Sequence, residues 1–170
     1  MKNFLRLAVV ISMVLVTLLA AFPVSAGPTK TEVTGWLEDI DAPANPDFRE
    51  WMSGHIWHWR NESLAFHVYS TDPRLMGYDL TDSNNGDIFL TNDWELISAH
   101  IFSQGTIYAE PDFITPLWSC LSNGWLDAEG YFTTSWDCHG MGDYAGLVAH
   151  LDISAPPEGG MSFEGEILGP

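Results

Sequence analysis

The chain has 170 residues, of which 23 are Asp or Glu and only six are Lys or Arg, for a formal net charge of −17. So negative a field repels phosphate backbones and anionic lipid, whose binding draws on Lys and Arg, and this excludes nucleic acid as a partner. The length suits one ordinary domain with a real core, because two would each be too thin.

In chain order, the first element is a leader. Lys2 and Arg6 precede an uncharged apolar run from Leu7 to Ala21, Pro23 interrupts it, and Val24-Ser25-Ala26 supplies the small residues that a signal peptidase reads. An uncleaved anchor is the alternative, but a run of about 15 residues falls short of the roughly 20 that span a bilayer. The reading is a signal peptide over 1–26 and a mature chain from Gly27, secreted or periplasmic. No cysteine lies near the cleavage site to carry a lipid, and no later apolar run is long enough to span, so no membrane contact is expected after cleavage. The mature part keeps Lys30, Arg49, Arg60 and Arg74 as its cations, against all 23 acidic residues.

From Val33 onward, short runs of Trp, Tyr, Phe, Ile, Val and Thr alternate with Gly, Pro, Asn and Asp, which is strand and turn chemistry. Strands are expected over 33–39, 54–61, 64–71, 75–80, 87–91, 94–103, 105–109, 116–127, 131–139, 144–153 and 161–168. One short helix fits Pro46 to Met52, with Asn45 as its cap and Pro46 opening the first turn. Asp41 to Pro46, Thr81 to Gly86 and Ala155 to Gly160 read as surface loops. The fold class is therefore all-β, a single antiparallel β-barrel of about 8–10 strands over 27–170, with a β-sandwich as the alternative.

Cys120 and Cys138 are the only cysteines. A hairpin around Ala128-Glu129-Gly130, with Gly130 supplying the left-handed residue of a three-residue loop, sets Cys120 directly opposite Cys138. That register permits a cross-strand disulfide, which persists in an oxidising compartment and stabilises by roughly 3 kcal/mol. Asn123-Gly124 is a competing hairpin signal that would break the register.

Eight tryptophans, Trp36, Trp51, Trp57, Trp59, Trp94, Trp118, Trp125 and Trp136, stand out in so short a chain. Most read as core filling, and the rest as lining a cavity or an exposed platform for a sugar or apolar ligand. Over Gly54 to Asn61, strand alternation puts His55, Trp57 and Trp59 on one face and Ile56, His58 and Arg60 on the other. The aromatic face is the candidate ligand-contacting surface. His55 and His58 fall on opposite faces, which disfavours a zinc pair. Asp72 and Arg74 read as the brace of a turn. Asp79, Asp82, Asn84 and Asp87 form an oxygen-rich set and a weak calcium candidate, although Gly86 is misplaced for an EF-hand and a turn is the preferred reading. There is no Gly-x-Ser-x-Gly, no His-Glu-x-x-His and no phosphate-binding glycine loop, so no catalytic residue is named and no cofactor is implied.

Gly140-Met141-Gly142-Asp143-Tyr144-Ala145-Gly146-Leu147, leading into a strand, and the closing Phe163-Glu164-Gly165-Glu166-Ile167 resemble the end of the small secreted β-barrels of the allene oxide cyclase and dirigent group. The resemblance covers about 30 residues and implies a barrel with an interior cavity. Members of that group range from cyclases to proteins without known catalysis, so it carries no residue role across; lipocalin-like barrels compare equally well. The expected function is binding of a small apolar or sugar ligand in an aromatic-lined barrel. A cyclase- or isomerase-type enzyme working inside the barrel and an extracellular protein-interaction domain are the alternatives.

Overall fold

A computed structural model describes residues 29–170; the segment read as a signal peptide lies outside the described residues. Period-two alternation begins at once. In β1 (Thr29–Ile40), Val33 and Leu37 are buried while Glu32, Thr34, Trp36 and Glu38 face out, as a strand with one face on a core requires. The described residues continue through β2 (Arg49–Ser53), β3 (Ile56–Ser70), β4 (Gly77–Leu90), β5 (Leu96–Tyr108), β6 (Pro116–Leu126), β7 (Phe132–Gly140), β8 (Val148–Ala155) and β9 (Met161–Gly169), with short 3-10 turns at Pro73–Leu75 and Gly142–Tyr144. Each strand from β2 to β9 pairs antiparallel with the next, and β1 closes the ring by pairing with β9 on one side and β3 on the other. The result is an up-and-down barrel of eight strands, with β2 added alongside the first half of β3.

Three pairs of expected short strands are single long ones. The runs 54–61 and 64–71 join as β3, 75–80 and 87–91 as β4, and 94–103 and 105–109 as β5. The breakers between them are absorbed as bulges. Asn61 takes a left-handed φ of 59°, and the β3–β4 register shifts between Trp59 and Glu62. The expected loop Thr81 to Gly86 is strand, with a shift between Thr81 and Ser83 against β5. Closure explains this, because a strand hydrogen-bonded on both edges holds polar and glycine residues that would end an isolated one, and bulges supply the bend. The helix expected at Pro46 to Met52 is replaced by a turn and β2. Asn45 Oδ1 does accept from Asp47 N, at 2.9 Å, but from Arg49 onward the backbone pairs with β3 instead of coiling.

The β6–β7 hairpin has the expected register. Cys120 faces Cys138 with Cα atoms 4.1 Å apart, and the two form a disulfide. Gly130 has a φ of 85° in the connecting turn, a conformation that favours glycine, whereas Asn123 and Gly124 lie within β6. Val68, Leu75, Ile107, Trp118, Cys138 and Leu151 pack the interior at the end carrying the β3–β4 and β7–β8 connections. Trp118 seals it, its Nε1 donating to the Arg74 carbonyl at 2.7 Å, with Arg74 held by Asp72. Tryptophan does not fill the core as expected: only Trp59, Trp118 and Trp136 are buried, because an eight-stranded ring has room for few indoles and the other five occupy outward positions.

Candidate functional site: a cavity inside the barrel

Toward the end carrying the β6–β7 and β8–β9 connections, the barrel is not filled. A cavity of about 240 Å³ remains, and its wall has two characters. Leu37 of β1, Leu64 and Phe66 of β3, Ile153 of β8 and Met161 of β9 make one side apolar, completed by Ile101, Leu126, Phe132 and Trp136. Thr81 and Asn84 of β4, Ser103 of β5, Ser122 of β6 and Thr134 of β7 put a polar group on each of four adjacent strands. Strand alternation aims them inward. Ser122 and Thr134 lie two and four residues from the buried Cys120 and Cys138 and share their parity.

Most of these groups are satisfied. The Ser103 and Ser122 hydroxyls share a hydrogen bond of 2.5 Å, Asn84 Nδ2 donates to Glu62 Oε2 at 2.8 Å, and Thr81 Oγ1 donates to Asp79 Oδ2 at 2.8 Å. Thr134 Oγ1 is the exception: it is buried without a partner among the described residues. Asp79 lies just beyond the cavity floor, 1% exposed, in a crevice it shares with Thr81, Ser103, Ser122 and Trp136. Burial pushes its carboxyl up to about 7; the Thr81 hydrogen bond works against this, and the charge of Asp82 adds to it. Its Oδ1 has no partner among the described residues.

The residues singled out in the sequence fall elsewhere. His55 sits in the turn before β3, tilted against Trp94 with ring centroids 5.2 Å apart. Trp57 and Trp59 share a side as expected, packed edge to face at 6.4 Å. Trp59 is buried over Gly86, where a β-carbon would collide with the indole. None of the three is among the residues lining the cavity. The other side of β3 is the more organised one. His58 Nδ1 donates to Asp87 Oδ1 at 2.6 Å, Arg60 Nη2 donates to the same oxygen at 2.9 Å, and Trp51 stacks on His58. Burial works to raise the Asp87 carboxyl, but the hydrogen bonds from His58 and Arg60 hold it below the usual carboxylate range.

The calcium candidate comes apart for a simple reason: its residues lie in a strand, not a loop. Asp79 and Asn84 are buried, Asp82 is exposed, and Asp87 serves His58 and Arg60. Among the described residues, no group of three or more His, Cys, Asp or Glu side chains is placed to hold a metal.

These features define a closed antiparallel β-barrel with a disulfide and a half-polar interior cavity. No protein-family model, curated protein or solved structure matches the chain. Among the described residues no helix is long and apolar enough to cross a membrane, and the disulfide fits an oxidising compartment.

Proposed function

We propose that the protein is an exported barrel that binds a small, mainly apolar molecule with one polar group in its interior cavity. The carrying observation is the unpartnered Thr134 hydroxyl in a cavity with one apolar and one polar side. An unmet buried hydroxyl costs about 1–3 kcal/mol, which a ligand's polar group would recover. A volume of about 240 Å³ calls for a compact ligand, below the drug-sized range. The apolar leader, the disulfide and the weak likeness of the C-terminal third to secreted barrels support export.

Native mass spectrometry of protein recovered from its own host tests the reading. The expected result is an added small mass that is lost on unfolding. Thr134→Phe should fill the cavity and abolish the adduct, while Thr134→Val should weaken binding by about tenfold and raise the stability of the empty protein by about 1 kcal/mol. An adduct that survives in Thr134→Phe, or wild-type protein with no adduct and no thermal shift with small alcohols, phenols or ketones, sinks the proposal.

A second reading is favoured by Asp79. A carboxyl beside an apolar cavity, with its proton held up to about 7, suits general acid or base work relayed through Thr81. It would make the protein a cyclase- or isomerase-type enzyme. Asp79→Asn separates the readings, since it should leave binding intact and remove any turnover.

A further inference from the structure

The outer surface of the barrel carries a second concavity, which shares only Thr134 and Ile153 with the lining of the interior one. It is a trough of about 720 Å³ running across β1, β9, β8, β7 and β6. Its shape follows from the registers. One outward row reads Trp36, Ser162, Ser154, Thr133 and Trp125, each paired with the next across neighbouring strands. The row beside it reads Thr34, Glu164, Asp152, Ser135 and Asn123. Small hydroxyl side chains thus form the floor, with Trp125 lining the trough and Trp36 standing just outside its lining at the far end of the same row, four strand spacings or about 19 Å away along the sheet.

Both end tryptophans are solvent-facing, Trp36 at 55% and Trp125 at 53% exposure, yet neither is loose. Trp36 is stacked on Tyr69 with centroids 4.7 Å apart, and Trp125 on His100 at 4.3 Å. His100 is fixed in turn, its Nε2 donating to Asn123 Oδ1 at 2.6 Å. Exposed indoles braced on one face present the other to a ligand at little entropic cost, since an indole has only two side-chain torsions to fix. Between them the trough offers hydroxyls, which both donate and accept, and the carboxylates of Asp152 and Glu164, which only accept. Neither carboxylate has a cationic partner among the described residues, and no Lys or Arg lines the trough.

We infer that this trough is a carbohydrate-binding site for an uncharged, β-1,4-linked oligosaccharide. Pyranose rings with equatorial substituents have flat C–H faces that pack on indoles, and their hydroxyls match the mixed donors and acceptors between. The unpaired carboxylates and the strongly negative chain reject uronic acid and sulfated glycans. Trp36 and Trp125 are two of the five tryptophans that the core does not use.

Isothermal titration of the full protein with cellohexaose, N-acetylchitohexaose and a hexameric oligogalacturonate tests the inference. A neutral hexamer should bind, the oligogalacturonate should not, and Trp36→Ala and Trp125→Ala should each weaken binding by about tenfold with the circular dichroism unchanged. Leu64→Trp, which fills the interior cavity from β3 at a residue that does not line the trough, should leave glycan binding as in wild type, so this inference and the interior-ligand reading fail separately. No heat with either neutral hexamer at millimolar concentration, equal binding of the oligogalacturonate, or full binding in the double tryptophan variant overturns it. So does a concentration-dependent dimer that the tryptophan substitutions dissolve, since the face would then serve a second copy of the chain.

Discussion

Asp79 concentrates the electrostatic tension of the barrel in one side chain. Its folded carboxyl titrates near 7, while an unfolded chain returns it to an ordinary 3.8. Between those values the native state keeps a proton that the unfolded state has lost, so stability falls as pH rises through this window. Below it both states are protonated, and above it the full cost of a buried charge applies. Asp79→Asn keeps an oxygen for Thr81 and removes the charge. It should therefore be more stable than wild type at pH 7.5, by up to about 4 kcal/mol, and nearly equal to it at pH 4. Urea midpoints at the two pH values check this; equal midpoints at pH 7.5 would mean that Asp79 reaches water. This role is not legible in the sequence, because Thr81-Asp82-Ser83-Asn84-Asn85, two residues after Asp79, has the composition of a turn. Only pairing on both edges turns that segment into a strand with Asp79 inside.

At the scale of elements, legibility tracked how local the determinant was. The β6–β7 hairpin is set by its own turn, so its register and its disulfide could be read from Gly130 and the placement of two cysteines. The long strands β3, β4 and β5 could not, since Asn61, Ser83 and Gly105 stop a strand locally and are overridden by neighbours distant in sequence. The site divides in the same way. Parity placed Trp57 and Trp59 together, but which face lines a cavity depends on closure, a non-local event. Thr134 and Ser122 share the parity of Cys138 and Cys120, but that the cysteines face the interior is itself a result of closure. The disulfide is the element whose contribution is easiest to isolate. Replacing both Cys120 and Cys138 with Ala should lower stability by about 3 kcal/mol, roughly 10 °C, for the short loop it closes. A thermal melt within 2 °C of wild type, by about the smallest shift such a loop loss permits, would show that the flanking ladders hold the hairpin without it.

For the molecule as a whole, charge sets the terms. Four of the six cations lie in the described barrel and are largely committed: Arg60 to Asp87, Arg74 to Asp72 and Lys30 to Glu166. The remaining carboxylates face each other across an exposed surface, and their repulsion is relieved by unfolding. Added salt should accordingly stabilise the protein. Raising sodium chloride from about 10 mM to about 1 M shortens the screening length from about 30 Å to about 3 Å, which removes repulsion between carboxylates on neighbouring strands. The melting temperature should rise by several degrees, and the rise should be the same in Asp79→Asn, because a fully buried carboxyl lies beyond the reach of bulk ions. The two electrostatic costs are thus separable, one answering to salt and the other to a single substitution. A melting temperature that falls with salt would mean that the three ion pairs outweigh the surplus of carboxylates. An Asp79→Asn variant that loses its salt response would place that residue's charge at the surface after all.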